Sequence, residues 1–258
     1  MDLQLDGKLA LITGSTAGIG FAIAESLARE RCRVIINGRT QARVDAALAK
    51  LPGAVGLAAD LGTSAGVAEA IRRFPDVDIL INNMGIFEPK PFEAIPDEDW
   101  FRFFEVNVLS GVRLSRHYLP RMKAAGWGRI VFISSESAVQ IPAEMIHYGM
   151  TKTAQLAISR GLAETTAGTR VTVNSVLPGP TASEGVEEFV GRLAANQKTD
   201  RASVEHEFFK NIRPSSLLRR FATPKEVAAL VTFVASPLSS ATNGAALRVD
   251  GGVVRSII

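Results

Sequence analysis

The 258-residue sequence predicts an α/β fold, a doubly wound parallel sheet of about seven strands with helices on both faces. Two observations predict it. Short aliphatic and β-branched runs alternate with longer stretches whose apolar residues recur at helical spacing, and the short runs are almost continuously apolar, as burial on two sides requires. A glycine-rich turn between the first strand and the first helix marks the end of the sheet at which open α/β folds bind ligands.

KLALIT (8–13) is the first strand, and GIGFAIAESLARER (18–31) is the first helix. RVIING (33–38) and TQARVDAALAKL (40–51) form the second pair, AVGLAAD (54–60) and SAGVAEAIRRF (64–74) the third. VDILINN (77–83) precedes one long helical pattern over 97–124, and GRIVFISS (128–135) precedes another over 147–166. RVTVNSV (170–176), the helix TPKEVAALVTFVAS (223–236) and AALRVDG (245–251) complete the alternation. Between VLPGP and that last helix, residues 181–222 supply no strand but two amphipathic stretches, 184–197 and 202–212. Such an excursion at a strand's C-terminal end reads as a lid over a ligand, with a surface or subunit-contact insertion as the other reading. No repeat or low-complexity segment divides the chain, so one domain, 1–258, is expected.

Composition excludes several classes. Hydrophobic residues make up 47% and charged residues 21%, too apolar for disorder. The net charge of +3 is spread along the chain, so nucleic acid is not an expected partner. A single cysteine and three isolated histidines give neither a disulfide framework nor metal-ligand spacing, and no metal is expected. The longest apolar stretch, VAALVTFVASPL, falls short of the ~20 residues of a membrane helix, and the N-terminus lacks a basic region followed by an apolar core. A cytoplasmic protein without a membrane partner is expected.

TGSTAGIG (13–20) carries glycines at 14, 18 and 20. Gly14 permits a tight turn, Gly18 lets the backbone approach a pyrophosphate and Gly20 lets the helix pack on the sheet, while the helix N-terminus offers N–H groups to an anion. Ser15, Thr16 and Ile19 lie in the same loop, and its ending lacks the GK[ST] of phosphate-hydrolysing loops. At the end of the second strand a nicotinamide dinucleotide without a 2′-phosphate is usually met by an acid, whereas an arginine accommodates that phosphate. Arg39 stands there, and no acid occurs between Val34 and Arg43. NADP(H) is therefore preferred over NAD(H), with a solvated surface charge as the other reading of Arg39.

Tyr148, one of only two tyrosines, precedes Lys152 by one helical turn. Thirteen residues before Tyr148, a strand ends in Ser134 and Ser135. Together with TGSTAGIG, NNMG (82–85), Asn107 in VNVLSG, YGMTK and PGPT (178–181), all in one order, the chain resembles the short-chain dehydrogenase/reductase family over nearly its whole length. Met84, where the family more often has alanine, and Ser183 are departures close to the expected cofactor.

The resemblance implies a Rossmann-like fold and hydride transfer between a nicotinamide and a carbonyl or secondary alcohol. Tyr148 would be the acid/base, its pKa lowered by Lys152, which would also hold the nicotinamide ribose. Ser135 would bind the substrate oxygen, and Asn107 would anchor a water that passes protons to solvent. Asp60 and Leu61 would meet the adenine, Asn83 and Gly85 its ribose, and Pro178, Gly179 and Thr181 the nicotinamide. A cofactor sensor without turnover and an enoyl reductase are the alternatives. The YxxxK spacing disfavours the second, whose short-chain relatives usually separate the two residues more widely. The apolar C-terminal tail resembles a family subunit contact, so a homo-oligomer, a tetramer, is expected. A moderately apolar carbonyl or alcohol substrate is expected against Phe87, Ile141, Met145, Phe189, Phe208 and Phe209, and Arg192, Lys198 and Arg201 could instead greet an acidic one.

Overall fold

The computed structural model describes residues 2–197 and 199–257. Seven parallel strands, β1 (Leu9–Ile12), β2 (Arg33–Gly38), β3 (Val55–Ala58), β4 (Ile79–Asn82), β5 (Gly128–Ile133), β6 (Val171–Pro178) and β7 (Ala246–Val249), lie in the order β3-β2-β1-β4-β5-β6-β7. All seven predicted strands are present.

Successive strand residues point to opposite faces and enter two separate cores. Ile12, Ile36, Ile81 and Val131 pack on one face against Ile23 and Leu27 of α1 (Gly18–Arg29) and Val227 and Val231 of α9 (Pro224–Val234). Their neighbours Leu11, Ile35, Leu80, Ile130 and Phe132 pack on the other face against Leu114, Tyr118 and Met122 of α5 (Ser110–Ala124). Val67 of α3 (Ser64–Arg73) and Ala163 of α6 (Ile146–Glu164) join that second core. The edge helix α2 (Gln41–Leu48) is opened by Thr40, whose hydroxyl accepts from the Arg43 N–H.

The long helix expected over 97–124 is divided. α4 (Asp97–Phe104) and α5 are joined by a π-helical turn at Glu105–Leu109, and Asn107 sits in that turn. Such turns recur at functional sites because one extra residue re-aims a side chain. Here the amide of Asn107 is turned onto the backbone of Ile86, accepting from its N–H at 2.8 Å and donating to its C=O at 3.0 Å. Periodicity alone does not show a π-turn, since apolar spacing continues through it.

Residues 181–222 form α7 (Glu184–Gln197), α8 (Arg201–Glu207) and a π-helical turn at Phe208–Ile212. Their two ends meet in a parallel bridge between Thr181 and Ala222, with Ala182 N–H donating to Ala222 C=O at 2.8 Å and Ala222 N–H to Pro180 C=O at 2.9 Å. The excursion thus leaves and re-enters the fold at one point. It has a small core of its own, Val190, Ala194 and Val204, beside a cluster of Phe208, Phe209 and Phe221 with ring centroids 5.0–5.2 Å apart.

Candidate active site

The strand order reverses between β1 and β4, and the crevice at the C-terminal ends there is where open sheets bind ligands. The glycine loop follows β1, Asn83 and Gly85 follow β4, Ser134 and Ser135 follow β5, and Gly179 to Thr181 follow β6. Two adjoining cavities run along this line. One, of about 240 Å³, is lined by Gly18, Ile19, Gly20, Asn83, Gly85, Ser183 and Glu184; the other, of about 500 Å³, shares Ile19, Asn83, Gly85 and Ser183 and continues to Ser135, Tyr148 and Lys152.

The first cavity lies at the N-terminus of α1, which no side chain caps, so its first N–H groups face the groove. Gly14 takes φ +58°, the left-handed turn expected of it. A Cβ on Gly20 would lie 2.6 Å from the Gly14 carbonyl and 2.5 Å from the Asn83 amide, so only glycine lets the helix start so close to the loop. These features fit a dinucleotide pyrophosphate.

Several expected cofactor contacts have their side chains engaged elsewhere. The Ser15 hydroxyl is fully buried, donates to Ile12 C=O at 2.7 Å and accepts from Asn37 N–H at 2.9 Å, tying β1 to β2. Leu61 is wholly inside the second core, leaving only its backbone for an adenine. Asn83 donates to the carbonyls of Thr13 and Gly14 at 2.9 and 3.1 Å, clamping the loop to the end of β4. Asp60 accepts from the N–H of Gly62 at 3.0 Å. Thr16 is half-buried and packs on Gly38. Arg39 is exposed at the end of β2, and its neighbour Arg43 reaches across the groove to Glu184 at 2.8 Å. At the other end, Pro178 and Gly179 line the larger cavity with Thr181, whose hydroxyl donates to Gly179 C=O at 2.8 Å.

Around Tyr148 the helix α6 presents one face to the cavity. Lys152 is 4% exposed; its Nζ donates to Ile133 C=O at 3.0 Å and to Gln155 Oε1 at 3.3 Å, and lies 5.6 Å from the Tyr148 ring centre. Burial lowers its pKa to about 7. Tyr148 is moved the other way, above the ordinary tyrosine range, by burial and then by the Glu136 carboxylate, against the opposing pull of Ser135 and Arg213. The Lys152 ammonium, which the resemblance makes the group that tunes Tyr148, is turned in this structure to the β5 carbonyl and to Gln155. His147, next in sequence, is buried on the ring of Phe103 at 4.0 Å and takes no part in the lining.

Gln155 and Glu136 were not singled out in the sequence. Gln155 Nε2 donates to the Asn107 carbonyl at 2.6 Å while its Oε1 accepts from Lys152, so one amide links the two. It lies one turn beyond Lys152 on the same face, a spacing from which it could have been found. Asn107 also donates to Thr151 Oγ1 at 3.0 Å, so its amide is fully engaged and its carbonyl is the group that faces Gln155. Glu136 accepts from the Ser135 hydroxyl at 2.5 Å and from Arg213 Nε at 3.0 Å. No sequence signal joins residues 136 and 213, which meet only through the return of the 181–222 segment.

Of the apolar wall expected, Phe87, Met145 and Phe208 line the cavity, whereas Phe209 is core and Ile141 is half-exposed against Gly149. Arg192 is exposed outside the lining, and Arg201 pairs with Glu187 at 3.0 Å. The side chain of Phe189 and the whole of Lys198 lie outside the described residues.

A turn for pyrophosphate, a tyrosine and a serine meeting at one cavity, and a lysine behind them define a nucleotide-dependent oxidoreductase. Residues 8–192 match the family model for short chain dehydrogenases, and the chain belongs to that family. It is 52% identical, over 100% of both chains, to the Bacillus subtilis (strain 168) protein named uncharacterized oxidoreductase YvaG. It is 34% identical to D-beta-hydroxybutyrate dehydrogenase of Cupriavidus necator, over 97% of this chain and 99% of that one. L-sorbose reductase from Gluconobacter frateurii, solved with NADPH and L-sorbose, superposes with a TM-score of 0.94 at 30% identity over 100% of both chains. The protein is thus an NAD(P)(H)-binding oxidoreductase of alcohols and ketones.

Proposed function

We propose that the protein is an NADP(H)-dependent carbonyl reductase, running in reverse as a secondary-alcohol dehydrogenase. The observation that carries this reading is the meeting of Ser135 and Tyr148 in a cavity continuous with the groove at the α1 N-terminus. Bound there, the cofactor would supply or accept a hydride. Gly18, Ile19 and Gly20 would hold its pyrophosphate, Asn83 and Gly85 its ribose through their backbone, and Thr181 its nicotinamide end.

Tyr148 gives its hydroxyl proton to the substrate oxygen on reduction and takes it back on oxidation. Its raised pKa favours the neutral acid, as a proton donor in the reductive direction requires. Ser135, whose hydroxyl proton is given to Glu136 in this structure, would hold the same substrate oxygen once that proton is turned to it, so that charge developing there is met by both hydroxyls. Lys152 holds the nicotinamide ribose and, through Gln155, is fixed to the Asn107 carbonyl. Residues 181–222 are the substrate lid, supported by the lining residues they contribute, Val186, Val190, Phe208, Ile212 and Phe221.

Preference for NADP(H) rests on exposed Arg39, on the lack of an acid between Val34 and Arg43, and on the NADPH bound by the L-sorbose reductase. Fluorescence titration of wild type and Arg39→Ala tests it. NADPH affinity falls about tenfold in the variant, the loss of about 1.4 kcal/mol expected for one charge-assisted contact, and NADH affinity stays unchanged. Equal binding of both cofactors by wild type contradicts the preference. A homotetramer is proposed from the exposed Phe92, Phe101 and Phe104 on and beside α4 and from Ile257 in the tail, with light scattering as its test. A cytoplasmic location is proposed with it, where Cys32, buried and with its pKa pushed up to about 12, stays a thiol. Among the described residues no helix is long and apolar enough to cross a membrane.

A further inference from the structure

Beside Ser135 and Tyr148, the larger cavity is walled by three charged side chains bound to one another: Glu136, Arg213 and Glu144. Glu136 is 4% and Arg213 7% exposed. Arg213 donates through Nε to Glu136 at 3.0 Å, and through Nη1 to Glu144 and to Ile212 C=O, both at 3.0 Å. The second oxygen of Glu136 accepts from the Ser135 hydroxyl at 2.5 Å, from Ser137 N–H at 2.6 Å and from the Ser137 hydroxyl at 2.8 Å.

Two carboxylates around one guanidinium leave the group one negative charge, and the cation is already satisfied by both. The other cation of the lining, Lys152, is directed at Ile133 and Gln155. Glu207, also in the lining, adds a further carboxylate, whose partners are Lys210 at 3.7 Å and Asn211 at 2.7 Å. An anionic substituent near the reacting carbon would therefore face carboxylates across a partly dehydrated space, where like charges repel far more than in water. The rest of the wall, Phe87, Met145, Val186, Phe208 and Ile212, suits an uncharged, moderately apolar body.

Resting on the carbonyl-reductase reading above, we propose that Glu136, Arg213 and Glu144 are specificity-determining and restrict this enzyme to uncharged carbonyl and alcohol substrates, excluding those with a carboxylate beside the reacting group. Arg213, carried on the return of the 181–222 segment, ties this selection to the placement of the lid over the site.

The test is NADPH oxidation with matched pairs, ethyl acetoacetate against acetoacetate and methyl 4-formylbenzoate against 4-formylbenzoate. Wild type shows kcat/KM at least tenfold higher for the ester of each pair. In Glu144→Gln, whose carboxylate is 43% exposed and not needed to fill the core, that ratio falls at least threefold. Arg213→Met, which releases both carboxylates from their cation, lowers turnover of the acids further. Equal or faster turnover of the acids by wild type overturns the proposal, as does an unchanged ratio in Glu144→Gln. Acid turnover that is substantial in wild type and lost in Arg213→Met also overturns it, because Arg213 would then be a carboxylate receptor. A wild type that binds NADPH but consumes it with neither member of either pair contradicts the carbonyl-reductase reading itself, and this proposal with it.

Discussion

The two walls of the larger cavity are built differently. On the sheet side, Lys152 is held by the β5 carbonyl of Ile133, Ser134 by the carbonyl of Lys152 at 2.9 Å, and Asn107 by both backbone groups of Ile86. On the other side, the 181–222 segment rests on its own small core, on the bridge from Thr181 to Ala222 and on the pairing of Arg213 with Glu136 and Glu144. Its reach toward α2, Arg43 to Glu184, is an ion pair with both side chains about half exposed, which contributes little. Under the proposed function, chemistry falls to the first wall and substrate choice to the second. The two walls meet at Glu136, which accepts from Ser135 on one side and from Arg213 on the other, so the second wall can be altered without moving the first except at that carboxylate.

Paired variants test that division most strongly. Tyr148→Phe lowers kcat by about a thousandfold while the substrate KM stays within about threefold, since the lost group acts in proton transfer. Phe221→Ala, which removes one ring of the aromatic cluster within the 181–222 segment, raises KM by about tenfold with kcat nearly kept. Steady-state kinetics with one uncharged ketone measures both, and a large kcat loss in Phe221→Ala would erase the distinction between the walls.

A smaller effect sharpens the account of the first wall. The pKa of Lys152 near 7 lies below the ordinary lysine value of about 10.4, so between these limits the folded protein binds fewer protons than the unfolded chain. Stability of the cofactor-free protein consequently rises with pH from about 7 to about 10. Lys152→Met removes this contribution and is the more stable protein below pH 7, by roughly 1–3 kcal/mol, with the gap closing as pH rises. Urea unfolding at pH 6.5, 8 and 9.5 gives the two curves. Parallel curves would mean that the Lys152 pKa is not lowered in the folded protein.

What the sequence made legible followed the same division. All seven strands, the glycine turn and the positions of Ser135, Tyr148 and Lys152 could be read, because strand ends and one helical turn place them locally. The π-turn at Asn107 could not, since one extra residue leaves the apolar spacing nearly intact. Ser15 was read as a cofactor contact because it lies in the loop, yet its hydroxyl is taken by the β1–β2 junction. The pairing of Glu136 with Arg213 joins residues 77 positions apart and exists only once the 181–222 segment has folded back.

The most direct test of the central claim follows a single atom. NADPH carrying deuterium at the transferring position of its nicotinamide is given to wild type with ethyl acetoacetate, and the product is read by mass spectrometry and NMR. One deuterium is expected on the new carbinol carbon, with the hydroxyl proton drawn from Tyr148 and hence from solvent. Product without deuterium at that carbon, or label at a carbon beside an intact carbonyl, would contradict carbonyl reduction as the reaction of this site.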